Sequence, residues 1–457
     1  MKKSSVQQAT RRMVLLVCMG FSLNGFSQSG AVKLKDGTGS LIGTYSKVQD
    51  AYNALPATLT QAYRIELDTS YNGSQESFPI VFTEKNGASA QHSITLRSAD
   101  ARVQVQANFP GITASYDVIV LDGADWVNIR NIGLENTPGE YTMIRMRNGA
   151  SHIVVDSCYM IQLDNKASCI FIDTASAQSA GNTHITISNN ELDGYSNGII
   201  SRGTPGKVNS ELHIVNNKIF NGSTAAISLR EGTGKTYITG NEVTAWGTSL
   251  ERKSAIFDLR ALSDSTFITA NIIYATQGND SVTYAIQVSG TSAPAYLWCA
   301  NNDLKLDYYF APAVSVSRSA GIAIDGNGRI DADVLFNTIQ LSRQNTVAGS
   351  SAALELNAVN AANHYRVLNN IVQHEGVAPS AGYNFVALSL PVVPSGILDL
   401  DYNTYYTASN TLVKLGNALY PDMATYQAAS SKDAHSVSFK TGWYGMEKPP
   451  AACVDVQ

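Results

Sequence analysis

The segments ITISNNEL (185–192), LHIVNNKI (212–219) and TYITGNEV (236–243) are three copies of one short phrase that recurs through most of this 457-residue chain. Each copy contains an apolar residue, two spacers, an asparagine, one spacer and usually another apolar residue. Two earlier copies carry Ile132 and Cys158 in the asparagine position. Recurrence at about 30 residues indicates a solenoid, in which each repeat buries its apolar side against its neighbours. Eight copies keep the asparagine: Asn190, Asn217, Asn241, Asn271, Asn302, Asn337, Asn370 and Asn403.

The residues before each asparagine alternate in polarity, which is the periodicity of a β-strand. Asparagine tolerates the left-handed backbone that a sharp corner requires, and its amide can bond to its own main chain. In a solenoid of strands, equivalent corners stack about 4.8 Å apart, so each amide can also reach the amides above and below it. The pattern therefore predicts a ladder of hydrogen-bonded asparagines along one edge of the molecule.

A second strand follows each corner after a gap of variable length, so differences in coil length are expected to lie in the loops. Its copies are AISLR (226–230), IFDLR (256–260), AIQVS (285–289), GIAID (321–325), AALEL (352–356) and VALSL (386–390).

With these repeats, the chain resembles the right-handed parallel β-helix superfamily, often called pectin-lyase-like, over roughly residues 41–440. The segments GTYSKVQDAYNALP (43–56), LDGADWVNIRNIGLEN (121–136) and DYNTYYTASN (401–410) resemble its first and last coils. The resemblance implies an all-β, single-stranded parallel β-helix of about ten or more coils with short capping helices. It implies no particular activity, because the superfamily includes lyases, hydrolases, epimerases, adhesins and inert fibres.

No linker interrupts the repeats, so we expect one elongated domain with covered ends. Ser46 and Gln49 have the spacing of a capping box, and Pro56 is a stop signal, which together predict a helical lid at the first coil. Met423 and Tyr426 suggest a second short helix near the other end. The predicted parts are a signal peptide (1–27), an N-terminal cap helix with the first coils (28–114), the β-helix repeats (115–410), and a C-terminal cap and tail (411–457).

The first residues have the form of an export signal. A basic leader precedes an apolar run from Met13 to Phe21, and small residues precede a predicted cleavage after Ser27. The run is too short for a stable membrane anchor, and no later segment reaches the roughly 18 apolar residues of a membrane helix. The net charge of −5 produces no overall positive potential that would attract nucleic acid. We therefore expect a secreted or outer-surface protein with no membrane span and no nucleic-acid partner.

The second strand should present alternate side chains to solvent. On five consecutive coils those side chains fall in one column, in which arginines about 5 Å apart repel each other unless anions lie among them. This column predicts a groove for an acidic polysaccharide, whose carboxylates match the guanidinium fork. In the alternative interpretation, Asp173, Asp258 and Glu231 simply neutralise the arginines on a solvated face. The candidate substrate-binding residues are Arg147, Asp173, Arg202, Arg230, Asp258 and Arg260.

Two functions remain open: binding of a polysaccharide or surface glycan, or turnover by a polysaccharide lyase or related carbohydrate-active enzyme. Elimination from a uronate needs a carboxylate neutraliser, a base and a proton donor. The arginines suit the first role, but no base is evident beyond Tyr195 and Lys207 on nearby loops. Calcium-dependent lyases resembling this fold use a carboxylate cluster, whereas Asp173 and Asp258 alternate here with arginines. The adjacent Asp pair and Gly-His-Gly turn of similar hydrolases do not occur.

His152, His184 and Glu211 each precede the corner by six residues in adjacent coils, a spacing at which a zinc ion is conceivable. A polar residue that merely opens a strand is the simpler interpretation, so we expect no metal and no cofactor.

Four cysteines follow the predicted cleavage site: Cys158, Cys169, Cys299 and Cys453. Export permits disulfides, and the four allow three pairings. We expect buried thiols, with a Cys158–Cys169 disulfide as the alternative.

Overall fold

The computed structural model of the chain describes residues 30–99, 103–107, 117–136, 142–162, 167–174, 180–194, 196–204, 206–247, 255–277, 284–291, 293–309, 318–325, 328–344, 350–357, 362–376, 384–390 and 397–441. The predicted signal peptide and C-terminal tail, with Tyr195 and Cys453, lie outside these residues. The described chain forms three long sheets, named here in the order in which each coil visits them.

Sheet 1 precedes the asparagine corner and has 14 strands, in the spatial order Leu41–Tyr45, Val32–Asp36, Tyr63–Leu67, Ile94–Ser98, Val127–Arg130, Ser151–Asp156, Thr183–Ser188, Ser210–Val215, Thr236–Thr239, Thr266–Thr269, Ala295–Ala300, Ile330–Leu335, His364–Leu368 and Ile397–Asp401. Sheet 2 follows the corner and has 12 strands: Val103–Ala107, Ile132–Asn136, Tyr159–Gln162, Glu191–Asp193, Lys218–Phe220, Glu242–Gly247, Ile272–Gln277, Asp303–Tyr309, Thr338–Gln344, Ile371–His374, Thr404–Thr407 and Val437–Ser438. Sheet 3 completes the coil and has 13 strands: Ile80–Thr83, Ile119–Asp122, Ile144–Arg147, Ile170–Asp173, Asn197–Arg202, Ala225–Arg230, Ala255–Leu262, Tyr284–Thr291, Arg318–Asp325, Ser350–Leu356, Phe385–Leu390, Val413–Leu415 and Ala418–Tyr420.

The strands within each sheet are parallel except at the two ends. Val32–Asp36 pairs antiparallel with Leu41–Tyr45 and with Tyr63–Leu67, and Val413–Leu415 pairs antiparallel with Ala418–Tyr420. Elsewhere in the described chain, each strand pairs with its equivalent one coil away, for example Ile187 with Ile214. The predicted all-β parallel β-helix is therefore confirmed.

The interior is a stack of buried aliphatic side chains. Ile187, Ile214, Ile238 and Ile268 are aligned on successive sheet 1 strands, and none exposes any surface. Parallel strands buried in this way have no helical layer to cover them, so the coil closes its apolar faces against each other. The alternation of side chains then directs every second residue of each sheet outward.

The predicted asparagine ladder is present. Each amide nitrogen donates to the side-chain oxygen of the next asparagine at 2.9–3.0 Å, from Asn190 through to Asn403. The same oxygen also accepts the backbone N–H of the preceding asparagine, for example Asn241 N to Asn271 Oδ1 at 3.0 Å. The ladder begins at Cys158, whose backbone N–H donates to Asn190, and at the other end Asn403 donates to Asp433 at 3.2 Å.

The prediction that the ladder asparagines themselves adopt the left-handed backbone was wrong. The residue just before each asparagine has the positive φ, as in Asn216 (55°), Ala270 (56°) and Phe336 (55°). The ladder asparagine is thereby left free to turn its amide inward along the stack, while its exposed neighbour makes the corner. This arrangement explains why the phrase often reads Asn-Asn, with the first asparagine in the left-handed position.

Both predicted helices exist and lie near opposite ends of the stack. Helix α1 is Val48–Asn53, and helix α2 is Met423–Ser430. The predicted capping box at α1 was wrong, because its N-cap is Lys47, which makes no side-chain capping bond. Instead the Glu76 carboxylate, from a distant loop, accepts the Val48 N–H. At α2, Asp422 caps the helix by accepting the Thr425 N–H at 2.8 Å.

No helix in the described ranges combines the length and apolar character that a membrane crossing requires.

Candidate functional site

The outward residues of sheet 3 form the column that the sequence predicted. Asp173 is in register with Arg202, and Arg202 with Arg230. Leu229 pairs with Leu259, which brings Arg230 beside Arg260, and the column continues through Ser289 to Asp325. Arg147 lies at the other end, in register with Asp122, and Asp258 is in the neighbouring outward column.

The first part of the column is internally neutralised. Arg147 Nη2 lies 2.8 Å from Asp122, and Asp173 accepts Arg145 Nη1 at 3.0 Å. Arg145 also donates to Asp117 at 2.7 Å. For Arg147 and Asp173, the alternative interpretation of neighbouring opposite charges therefore describes the contacts well.

The central part of the column has an excess of positive charge. Asp258 is almost fully buried and accepts Arg260 Nε at 2.7 Å. Arg230 is partly buried, and its Nε donates to Ser228 at 3.0 Å, a neutral acceptor. Arg202 is exposed and lies over the Phe171 ring at 5.4 Å. Among the described residues, no carboxylate lies within ion-pair distance of either Arg202 or Arg230.

The electrostatic consequence is visible at Arg230. Burial lowers the pKa of its guanidinium, and the charges of Arg260 and Arg202 lower that pKa further, while Asp258 opposes the shift. An anion bound beside these arginines would relieve the repulsion.

A second polar cluster continues the same face. Arg318 donates from Nε to Glu355 and from Nη2 to Asp325, both at 2.6 Å. Asn357 also donates to Asp325, at 3.0 Å. The Arg318 guanidinium lies 6.0 Å from the centre of the Tyr284 ring. Two carboxylates, a guanidinium and a phenol therefore meet on the outside of sheet 3, a short distance beyond Arg260.

The ionisation of this cluster is shifted by its burial. Burial raises the pKa of Glu355, with the Arg318 charge opposing the shift, and raises the pKa of Tyr284 to about 12. Burial alone would lower the pKa of Arg318, but Glu355, Tyr284 and Asp325 outweigh it and raise that pKa. Arg318 is thus held charged at neutral pH, whereas Glu355 is easier to protonate than an exposed glutamate.

A strict period of two along GIAID (321–325) and AALEL (352–356) directs Asp325 and Glu355 outward, but it does not reveal Arg318 and Tyr284. The reason is a phase shift inside the sheet 3 strands, where two successive residues point inward, as Ala285 and Ile286 do in one coil. Tyr284 therefore faces outward, in a small apolar cluster that is separate from the main core. The run of alanine and glycine before each inward aliphatic residue, for example SAGI (319–322), is the signal that could have revealed the shift.

The three residues considered for zinc adopt another arrangement. The rings of His152 and His184 stack in parallel, with centroids 4.6 Å apart, and Trp126 stacks on the other side of His152 at 4.0 Å. Glu211 lies 3.6 Å from Lys235. Within the described ranges, no three His, Cys, Asp or Glu side chains converge as a metal site would require.

The remaining groups considered in the sequence are Lys207 and the cysteines. Lys207 pairs through its backbone with Thr204 on the loop after Arg202. Cys158, Cys169 and Cys299 are buried thiols that form no disulfide with one another, so the alternative of a Cys158–Cys169 disulfide was wrong. Burial raises the pKa of Cys299 to about 12, which keeps its thiol protonated and inert.

Comparison with protein-family models gives no match, and no curated protein matches the sequence. Solved structures similar to this chain include an alginate lyase from Paenibacillus sp. str. FPU-7, with TM-score 0.44 and 16% identity over 68% of this chain and 96% of that one. The architecture that they share with this chain is a parallel β-helix. The surface adhesin PfbA of Streptococcus pneumoniae gives TM-score 0.44 and 12% identity over 69% and 82% of the two chains. A GH136 lacto-N-biosidase from Eubacterium ramulus gives TM-score 0.47 and 11% identity over 89% and 65%.

A fold of this kind supports unrelated functions, and both turnover and binding are compatible with it. The function of this chain has to be argued from its own surface residues.

Proposed function

We propose that this chain is a secreted or surface-exposed β-helix that binds an acidic polysaccharide along the outside of sheet 3. The observation that carries the proposal is the row of Arg202, Arg230 and Arg260 on three neighbouring strands, in which two of the three guanidiniums have no carboxylate partner among the described residues. The alternative of charge neutralisation accounts for Arg147 and Asp173 but leaves this row unexplained.

The spacing of the row supports a polymeric ligand. Neighbouring strands are about 4.8 Å apart, and at that distance two like charges near a protein surface repel by about 3 kcal/mol before salt screening. A repeated anion removes that repulsion, and the carboxylate of a uronic acid also fits the two parallel N–H groups of a guanidinium. A linear chain of such sugars matches a linear array of arginines better than a single small anion does.

Exposure of the row supports access from solvent. Arg202 is exposed, and 47% of the Arg260 side chain is accessible although its partner Asp258 is buried. The buried Asp258 holds Arg260 in place, and Phe171 supports Arg202 from below. Arginines whose positions are fixed in this way lose less conformational entropy when they bind.

The proposed location follows from the leader. Residues 1–27 have the form of a signal peptide, and buried thiols without disulfides are compatible with either the periplasm or the outside of the cell.

The test is a binding measurement on the mature chain with pectate, alginate, chondroitin and heparin, and with neutral dextran as the control ligand. Arg202→Gln and Arg230→Gln should each weaken binding of at least one acidic polymer about tenfold. The matched variant is Arg329→Gln, which removes an exposed arginine just before the sheet 1 strand Ile330–Leu335 and should leave binding unchanged. Equal binding of dextran, or equal affinity of all three variants, would exclude this function.

The second candidate is turnover of the bound polymer, and the cluster of Arg318, Asp325 and Glu355 favours it. An arginine row that neutralises uronate carboxylates and a nearby carboxyl group that exchanges a proton are two of the requirements for elimination. The absorbance of the unsaturated product separates the two candidates. Growth of absorbance that is abolished by both Arg230→Ala and Glu355→Gln establishes the enzyme, whereas binding without absorbance leaves only the first proposal.

A further inference from the structure

Three arginines line a pocket on sheet 1, on a different face from the proposed polysaccharide groove. The pocket has a volume of about 330 Å³ and is lined by Arg64, Thr95, Arg97, Asn128 and Arg130. These residues come from three consecutive strands, in which Arg64 is in register with Thr95, Thr95 with Asn128, and Arg97 with Arg130. Three guanidiniums therefore converge within about 10 Å on the outside of the sheet.

The contacts of the pocket leave much of its positive charge uncompensated. Arg97 binds the buried Glu66 at 2.5 Å, but Glu66 is shared with Lys35, also at 2.5 Å. Arg64 donates to the backbone oxygen of Gly37 at 3.1 Å, which carries no charge. Arg130 is exposed, and none of the described carboxylates is within ion-pair distance of Arg64 or Arg130.

One further acidic group faces the pocket from the same sheet. Asp156 is in register with Arg130, and its Oδ1 accepts Ser188 and Asn189 at 2.8 Å each. Asp156 and Glu66 together carry two negative charges against the positive charges of the three arginines and Lys35. The lining of the pocket thus combines three cations with two neutral polar groups, Thr95 and Asn128. Buried or crowded like charges of this kind are stable only with an anion or with solvent between them.

We propose that this pocket binds the sulfate ester of a sulfated sugar. Three guanidiniums that approach from three strands offer donors to three terminal oxygens, which a sulfate ester has and a carboxylate does not. Thr95 and Asn128 lie beside the arginines and provide the neutral donors and acceptors that ring hydroxyls need. The volume lies at the lower end of the range for ligand pockets and fits one sugar unit better than a long polymer.

This site is independent of the groove on sheet 3. Its ligand class differs, since the groove matches the repeated carboxylates of a uronate polymer. Either proposal can therefore fail without affecting the other, provided that binding is measured with the other face disabled.

The test measures binding of a heparin hexasaccharide, of the same hexasaccharide after complete desulfation, and of sodium sulfate, all with the full chain that carries Arg202→Gln and Arg230→Gln. We expect the sulfated hexasaccharide to bind at least tenfold more tightly than the desulfated one and than sulfate alone. Adding Arg130→Gln or Arg64→Gln should weaken that binding at least tenfold, whereas adding Arg329→Gln should not change it. Arg97 is left intact because it holds the buried Glu66, and unchanged thermal unfolding verifies that each variant is folded.

Thr95→Val provides a second, milder variant. It should weaken binding of the sulfated hexasaccharide and leave sodium sulfate binding unchanged, because its hydroxyl is assigned to the sugar ring. Equal binding of the sulfated and desulfated hexasaccharides, or sulfate binding as tight as that of the hexasaccharide, overturns the proposal. Full retention of affinity in both Arg64→Gln and Arg130→Gln also overturns it.

Discussion

Replacement of Asn271 by alanine should destabilise the chain far more than the loss of one polar side chain usually does. Its amide nitrogen donates to Ile238 O at 2.9 Å, Thr269 O at 3.1 Å and Asn302 Oδ1 at 2.9 Å. Its oxygen accepts both the backbone N–H and the side-chain amide of Asn241. Each buried hydrogen bond contributes about 1 kcal/mol, and a buried N–H left without an acceptor costs about 1–3 kcal/mol.

The two amides of Asn241 are affected differently by this substitution. Its side-chain amide retains Ile214 O at 2.9 Å, so that group stays satisfied. Its backbone N–H has no alternative acceptor among the described residues and becomes an orphan. Asn271→Ala should therefore lower the free energy of unfolding by about 3 kcal/mol.

The assay is equilibrium unfolding in urea, combined with hydrogen exchange at the Asn241 backbone N–H. The control is Asn301→Gly, because Asn301 is exposed and has a φ of 57°, which glycine also adopts. The control should change stability by less than about 0.5 kcal/mol and leave the exchange rate at Asn241 unaltered. If Asn271→Ala matches this control in both measurements, the ladder is a consequence of the winding and contributes little to its stability.

Substitutions at three further positions test other local features. Ala270 has a left-handed backbone, so Ala270→Asn should raise the urea midpoint by relieving about 1 kcal/mol of strain, whereas Ala270→Val should lower it; equal midpoints would contradict this reasoning. Cys158→Asn should extend the ladder by one rung to Asn190 and stabilise the chain by about 1 kcal/mol, and a lower midpoint would contradict the assignment of that slot. Burial lowers the pKa of His152, and the nearby His184 lowers it further. Below about pH 6.5 the unfolded chain therefore binds a proton at this position more readily than the folded chain does. The free energy of unfolding should fall as the pH drops through that range. His152→Asn should flatten this fall between pH 7 and 5, and an unchanged pH dependence would show that other groups cause it.

The repeat and its ladder were predictable because they depend on one residue type at one position. Each ladder asparagine follows two spacers after an inward apolar residue, and Ile187 before Asn190 is typical. Strand alternation then fixes which side chains face solvent. For the same reason the order of Arg202, Arg230 and Arg260 along sheet 3 could be predicted from the sequence alone.

Features that depend on contacts between distant residues could not be predicted in this way. The cap of helix α1 comes from Glu76, 28 residues beyond the N–H that it accepts. The residue with the left-handed backbone lies one position before the ladder asparagine. Residue propensities do not distinguish these two positions, because both favour asparagine.

The candidate functional surface could be predicted only in part, because some of its residues depend on contacts that the sequence does not show. Arg318 and Tyr284 lie on strands whose alternation changes phase, so a strict period of two assigned them to no outward column. On sheet 1, Arg64, Arg97 and Arg130 are spaced by about one coil, but their strands precede the first ladder asparagine. Only the strand register brings the three together.

The ladder bonds keep the same length although the chain between consecutive rungs varies from 24 to 35 residues. The spacing between ladder asparagines therefore does not depend on how many residues lie between one corner and the next. New segments can be added opposite the corner by insertion, at a free-energy cost that grows only slowly with their length. A scaffold of this type can acquire new recognition loops, in evolution or in the laboratory, while its backbone spacing stays the same.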